Sequence, residues 1–240
     1  MLPGNTPTLM ASSRFRNGND QYTSLLAHFD GALDSTVMPD SSIVRPKGNA
    51  IVATPARLNT SIVKFGTSSL LMNSGGYILW PCHADFDFPA GTDFTIDWWE
   101  YLGATTDGMT TFGGYTEATY QNIMLCYHYA GYQRCFMSSD GANWDIGGGG
   151  RNMGPISLNQ WKHFALTRQG TGYRTFQNGS QQDYWVDAKT PYPAGGTAGY
   201  IGLGRAQAQS LFNGLVDEFR ISKGIARWTA NFTPPTSPYG

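Results

Sequence analysis

The sequence predicts an all-β protein, an antiparallel sandwich with its closing strand near the C-terminus, and three observations carry that prediction. The segment LVDEFRIS alternates strictly, with Leu215, Asp217, Phe219 and Ile221 on one face and Val216, Glu218, Arg220 and Ser222 on the other; period-two patterning is the mark of a half-buried strand. The dipeptide Asn178-Gly179 between YRTFQ and SQQDYW is a strong two-residue hairpin signal, because both central positions of a type I′ turn need positive φ. Finally, 30 glycines and 13 prolines are scattered through 240 residues without a period, as many tight turns between short strands require.

Taken in order, residues 1–22 are rich in Gly, Pro, Asn, Thr and Ser, lack apolar periodicity, and are expected to form an arm outside the domain that docks on a neighbouring subunit, the alternative being that it packs along its own sandwich. The sandwich itself is expected over 23–232. Its strands are expected at 24–29, 50–53, 61–64, 69–72, 77–80, 93–102, 110–115, 121–129, 132–138, 143–147, 161–168, 173–178, 180–186, 199–204 and 212–222. Within QNIMLCYHYAGYQRCFM, a turn at Ala130-Gly131 pairs Tyr129 with Tyr132 and sets Cys126 opposite Cys135. A non-hydrogen-bonded pair of this type admits a disulfide, and reduced thiols packed as small hydrophobes are the favoured state in a protein assembled in a cytoplasm. Cys82 has no evident partner. Gly147 to Gly150 reads as an unrestrained loop, KGIARWTA at 223–230 as a helical turn, and the Pro-rich stretch 233–240 as an extended tail.

Composition narrows the function classes. Aromatic and charged residues each make up 14%, which suits a packed β-domain rather than a disordered chain. A net charge of −1 with no Lys/Arg run cannot neutralise a phosphate track, so no nucleic-acid partner is expected. No stretch of about 18 apolar residues exists to span a bilayer, so no membrane partner is expected. The opening MLPGNTPTLMASSRFRNG lacks an apolar h-region, which leads to the expectation of synthesis and retention in a cytoplasm.

The stretch FNGLVDEFRISKGIARWTANFTPP at 212–235 resembles the closing segment of laminin-G-like, concanavalin A-like jelly-roll domains found in many bacteriophage virion proteins. LLAHFDG at 25–31, SIVKFGTSSLLM at 61–72, YILWPCHADFDF at 77–88, DFTIDWWEY at 93–101 and WKHFALTR at 161–168 follow in the family's order, so the likeness runs from about Ser24 to Tyr239. The resemblance implies an antiparallel jelly-roll β-sandwich. It also implies a non-enzymatic virion structural protein, either a capsid decoration or tail/fibre-associated, assembled in a host cytoplasm. Its expected partners are other virion proteins reached through the arm, further copies of itself and a host surface glycan. A free carbohydrate-binding lectin module is the alternative and a glucanase a distant third, because this fold by itself says little about activity.

Glucanases sharing the sandwich are similar in carrying E-I-D-x-x-E on one strand, and TIDWWE at 95–100 falls on that pattern. Thr95 stands where the nucleophile would be, and Asp97 and Glu100 point to opposite faces of a regular strand. Retaining hydrolysis needs two carboxyls across one bond, so no catalytic residue is expected. His28, His83, His128 and His163 lie apart from any nucleophile elbow. In FTIDWWEYL, Phe94, Ile96, Trp98 and Leu102 form the core face. The other face presents Thr95, Asp97, Trp99 and Tyr101, aromatic beside carboxylate, which suits either a sugar or a subunit interface. Trp144, Trp161, Trp185 and His163 are candidates to widen it. Laminin-G-like relatives commonly hold a structural calcium, which the resemblance places at Asp30 and Asp217; the competing reading makes Asp217 a cap for a turn such as one near Gly214. No other cofactor is expected.

Overall fold

Fifteen strands and one 3-10 turn account for the regular structure of residues 18–104, 109–116, 122–193, 199–204 and 212–240, which the computed structural model describes. The strands are β1 (Thr23–Ala27), β2 (Ile51–Ala53), β3 (Arg57–Asn59), β4 (Ser69–Met72), β5 (Tyr77–Pro81), β6 (Phe94–Leu102), β7 (Thr110–Thr116) and β8 (Asn122–Tyr129). There follow β9 (Tyr132–Met137), β10 (Ile146–Pro155), β11 (Trp161–Gln169), β12 (Gly172–Gln177), β13 (Ser180–Val186), β14 (Gly199–Leu203) and β15 (Gly214–Lys223). They form two antiparallel sheets. One has eight strands in the order β13-β12-β11-β6-β15-β4-β3, with β1 added on β15; the other has seven in the order β10-β9-β8-β7-β14-β5-β2. The expected β-sandwich is the fold observed.

The core lies between the sheets. Phe94, Ile96, Trp98, Leu166, Phe219 and Ile221 enter it from the first sheet, and Ile78, Trp80, Phe112, Met137, Ile201 and Leu203 from the second. Trp80 lies parallel to Phe219 with centroids 6.5 Å apart, joining the two sheets through apolar area that water would otherwise cover. Both hairpin signals act as expected: Ala130 and Gly131 have φ of 52° and 79°, Asn178 and Gly179 of 48° and 77°, the left-handed pairs that match the twist of the flanking strands. Cys126 faces Cys135 in register, and both are buried free thiols.

Four expectations are corrected by tertiary structure. The alternation of LVDEFRIS is broken by a bulge, because Glu218 has φ of 51° and the register on β6 steps from Asp217 opposite Trp99 to Arg220 opposite Asp97. The phase shift puts Val216, Phe219 and Ile221 in the core and turns Asp217 to the outer face, away from Phe219; a bulge re-aims side chains in this way. Residues 61–64 form no strand, and the short strand β3 precedes them. Gly147 to Gly150 lie inside β10, not in a loop; positive φ at Gly147, Gly148 and Gly149 lets the strand carry a long register shift against β9. Segment 223–230 is not helical. Thr95 Oγ1 donates to the Ile225 carbonyl and accepts the Arg227 N–H, and Thr167 Oγ1 donates to the Trp228 carbonyl, so sheet hydroxyls take the backbone groups a helix would have paired internally.

That C-terminal segment lies on the outer face of the eight-stranded sheet. Trp228 stacks on Phe232 at 4.1 Å, and together they cover Ala165 and Phe176 as a second, smaller apolar cluster. The tail ends in a buried Tyr239. Residues 18–22 of the arm also lie on the chain's own sandwich: Asn19 N–H donates to the Gly240 carbonyl, and Asp20 is bound by Arg227. Residues 1–17 lie outside the described residues.

Candidate functional site

The outer face of β6 is oriented as expected but closed. Asp97 is fully buried, and Arg220 donates to both its oxygens from Nε and Nη2 at 3.0 Å each. The Tyr239 hydroxyl donates to Asp97 Oδ2, with His163 Nε2 at 3.2 Å from that hydroxyl. The Arg220 guanidinium stands 3.9 Å from the centre of the Tyr239 ring. Burial opposes ionisation of Asp97, but the Arg220 charge and the His163 contact outweigh it and hold the carboxyl at about 2. Burial holds His163 below its ordinary value, so the imidazole is neutral at pH 7. Glu218 Oε2 accepts the Tyr239 N–H at 2.9 Å and its other oxygen lies 2.8 Å from His28. Trp99, 6% exposed, is roofed by the Lys64 ammonium at 3.9 Å and the edge of Phe65 at 5.8 Å. Asp97 and Trp99, expected to meet a ligand, instead bind the chain's own tail and loop.

The other expected binding residues are dispersed. Tyr101 and Trp161 lie together at one end of this face, half-buried, with centroids 5.6 Å apart. Trp185 is buried against Tyr173 at 5.2 Å and belongs to the core. Trp144 lies by the second sheet, 5.7 Å from Phe136. The expected single platform is therefore not formed.

The β6 strand also separates its carboxylates as expected. Thr95 serves the C-terminal segment. Glu100 points between the sheets, accepting Trp98 Nε1 at 3.2 Å and Thr111 Oγ1 at 2.6 Å, with His128 Nε2 at 3.0 Å. Asp97 and Glu100 cannot share a glycosidic bond.

Asp30 and Asp217 do lie near one loop, but each is committed to its backbone. Asp217 Oδ2 accepts the N–H groups of Lys64 and Phe65 at 3.0 and 3.1 Å, so the turn it caps is at 64–65 rather than near Gly214. Asp30 accepts the N–H and hydroxyl of Thr67. The space for that contact exists because residue 66 is glycine, whose absent Cβ would meet the Asp30 carboxylate. Burial pushes Asp217 up to about 8, since the backbone amides it accepts offset only part of the desolvation. Calcium needs six to eight oxygens, and among the described residues no group of three or more His, Cys, Asp or Glu is arranged to hold a metal ion. The donors do not fit a calcium ion.

The second sheet has an open outer face. The register that sets Cys126 against Cys135 toward the core puts Tyr127 opposite Arg134 and Tyr129 opposite Tyr132 on the outside. Tyr129 and Tyr132 are 52% and 40% exposed. The Arg134 guanidinium lies 5.5 Å from the Tyr132 ring and 6.0 Å from the Tyr129 ring. Phe136 meets Tyr127 edge-on at 6.1 Å and continues the stripe to Trp144. Gly150 is required beneath Phe136, where any Cβ would strike the ring. Farther along the sheet, Gly113 pairs with Gly202, leaving bare backbone between the strands. None of the seven strands of this sheet contains Asp or Glu. Hairpin register alone would have revealed this face, since Tyr127, Tyr129 and Tyr132 alternate with the cysteines and His128 that fill the core side.

Two antiparallel sheets stacked around one apolar core define a jelly-roll-type β-sandwich. The profile of the concanavalin A-like lectin/glucanases superfamily, laminin-G type, matches residues 72–227, and the chain belongs to that superfamily. Among solved structures it is similar to domain 4 of AbnA, a GH43 extracellular arabinanase from Geobacillus stearothermophilus in complex with arabinotriose. That likeness has 18% identity and a TM-score of 0.61, over 85% of this chain and 93% of that one. It is also similar to the binding domain of Paraclostridial Mosquitocidal Protein 1, at 15% identity and a TM-score of 0.57, over 85% of this chain and 49% of that one. Trypanosoma rangeli sialidase matches at 14% identity and 0.53, over 82% of this chain and 30% of that one. These likenesses show the fold. No curated protein sequence matches.

Proposed function

We propose that the chain is a non-catalytic carbohydrate-binding domain whose sugar surface is the outer face of the seven-stranded sheet. One observation carries the reading: that face exposes aromatic rings around Arg134, and its strands contain no carboxylate to act as acid, base or nucleophile. Sugar C–H groups stack on ring faces while hydroxyls accept from the guanidinium. The arabinotriose held by domain 4 of AbnA supports a saccharide as the class of ligand. Screening the soluble protein on a glycan array should give binding that Trp144→Ala abolishes and Trp99→Ala spares. Retention of binding in Trp144→Ala would move the site elsewhere, and hydrolysis of a bound oligosaccharide would overturn the non-catalytic reading.

In the same reading the domain is a bacteriophage virion component, a capsid decoration or tail- or fibre-associated protein that assembles in a host cytoplasm. It is anchored through the part of the arm that precedes residue 18 and through contacts between copies, and presents the sugar face to the host. The support is the resemblance of residues 212–235 to virion domains. A virion component copurifies with particles and is lost when residues 1–17 are deleted; a protein that stays monomeric and absent from particles is a free lectin instead.

A further inference from the structure

A concavity of about 230 Å³ opens where the start of β1, the end of β15 and the loop at 41–47 meet, away from the aromatic face and on the other sheet. Gln21, Tyr22, Thr23, Ser24 and Val44 line it together with two cations, Arg45 and Lys223. Among the described residues no carboxylate lines it.

The charge balance around it is uneven. Arg45 Nη1 and Lys47 Nζ divide the two oxygens of Asp85 between them, and Asp40 accepts the Lys47 backbone N–H, so two carboxylates match these two cations and the excess positive charge is that of Lys223. Lys223 Nζ donates to the Ala84 carbonyl at 2.7 Å, and it forms no ion pair among the described residues. Asp20, beside the lining segment, is committed to Arg227 Nη2 at 2.9 Å. Uncompensated cations beside apolar walls raise the local concentration of anions.

We propose that this pocket binds a single anionic sugar residue, with its ring against Tyr22 and Val44, its hydroxyls toward Gln21, and its acid group between Arg45 and Lys223. The volume admits one pyranose rather than a chain, and a planar guanidinium beside an ammonium recognises a carboxylate or a phosphate equally well. The inference is independent of the proposed sugar face: loss of either site leaves the other in place.

Titration of the full chain, followed by amide chemical shifts, separates the cases with four probes: glucuronate, glucose 6-phosphate, glucose and inorganic phosphate. Both anionic sugars should shift the amides of residues 21–24, 44–45 and 223, each binding at least about tenfold more tightly than glucose or phosphate alone. Arg45→Gln and Lys223→Met should each weaken both anionic sugars by about tenfold. The Arg45 side chain is 62% exposed, and methionine keeps the Lys223 stem, so both variants retain the fold and its dispersed spectrum. Equal binding of glucose overturns the role of the cations. Phosphate bound as tightly as glucose 6-phosphate reduces the pocket to an ion site and overturns the sugar. The absence of shifts with all four probes overturns the site.

Discussion

The two sheets put their outer faces to opposite uses. The eight-stranded sheet carries the charge: Asp97, Asp217, Glu218 and Arg220 are all at most 1% exposed, and the C-terminal segment covers its centre. The seven-stranded sheet carries no acidic residue in any strand and leaves Tyr129 and Tyr132 open to solvent. The same ingredients, rings beside hydrogen-bonding groups, occur on both. The difference is occupancy: Tyr239 sits over Arg220 with its hydroxyl on Asp97, so the chain covers with its own tail on one face the kind of surface it leaves open on the other. An aromatic next to a carboxylate in a strand therefore does not indicate a ligand site until the route of the chain's own tail is known.

The largest expected effect lies in the sealed face. Arg220→Ala strands the Asp97 carboxylate at full burial, and breaking a buried pair from one side costs about 3–5 kcal/mol. Urea unfolding measures it; a loss under about 1 kcal/mol would mean the tail does not seal this face in solution. The pair also imposes a pH dependence. Asp97 is held at about 2 in the folded state, below the unfolded value of about 3.9. Its contribution is therefore present above about pH 4 and is lost as the pH falls toward 2. Tyr239→Phe keeps the ring over Arg220 and removes only the hydroxyl that Asp97 accepts, which should cost about 1.5–3 kcal/mol for a bond to a charged group. A cost near zero would leave the ring contact as the whole latch.

An effect opposite in sign, and of comparable size over the whole pH span, is expected at Asp217. Burial raises its folded pKa to about 8, so the folded state keeps a proton that the unfolded chain gives up near 3.9. The stability this group confers is complete below about pH 4 and declines as the pH rises toward 8, with a slope of at most roughly 1.4 kcal/mol per unit. Asn at this position mimics the protonated acid. Asp217→Asn should match the wild type near pH 4 and exceed it at pH 8 in thermal unfolding scans. Parallel pH profiles would show that the amides of Lys64 and Phe65 hold the carboxylate ionised.

What was legible in the sequence was local. Period-two patterns located most strands, Asn178-Gly179 and Ala130-Gly131 fixed two hairpins, and the two faces of β6 were read correctly. What was not legible depends on distant residues. The bulge at Glu218 appears only when β15 must match β6 on both sides of it. The covering of Asp97 depends on Tyr239, 142 positions away. The failure of 223–230 to be helical depends on Thr95 and Thr167 competing for its backbone. Three histidines sit beside carboxylates remote in sequence, His28 with Glu218, His128 with Glu100 and His163 with Asp97, and no spacing rule links them. The open face was within reach, because the register that paired the cysteines also orders its rings.

The smallest stability effect carries the sharpest test of the contrast. Tyr129 lies at the open end of the aromatic face, half exposed, opposite Tyr132 and 6.0 Å from the Arg134 guanidinium. Tyr129→Ala should change unfolding free energy by no more than about 0.5 kcal/mol, as for other surface positions. It should nevertheless weaken glycan binding by up to about tenfold, the scale of one lost ring contact. On the sealed face the pattern reverses, since Tyr239→Phe should affect stability and leave binding unchanged. The two variants measured in both assays form a crossed design. If Tyr129→Ala instead lowered stability by several kcal/mol, the ring would be part of the structure rather than free to meet a ligand, and both faces would be closed surfaces of the same kind.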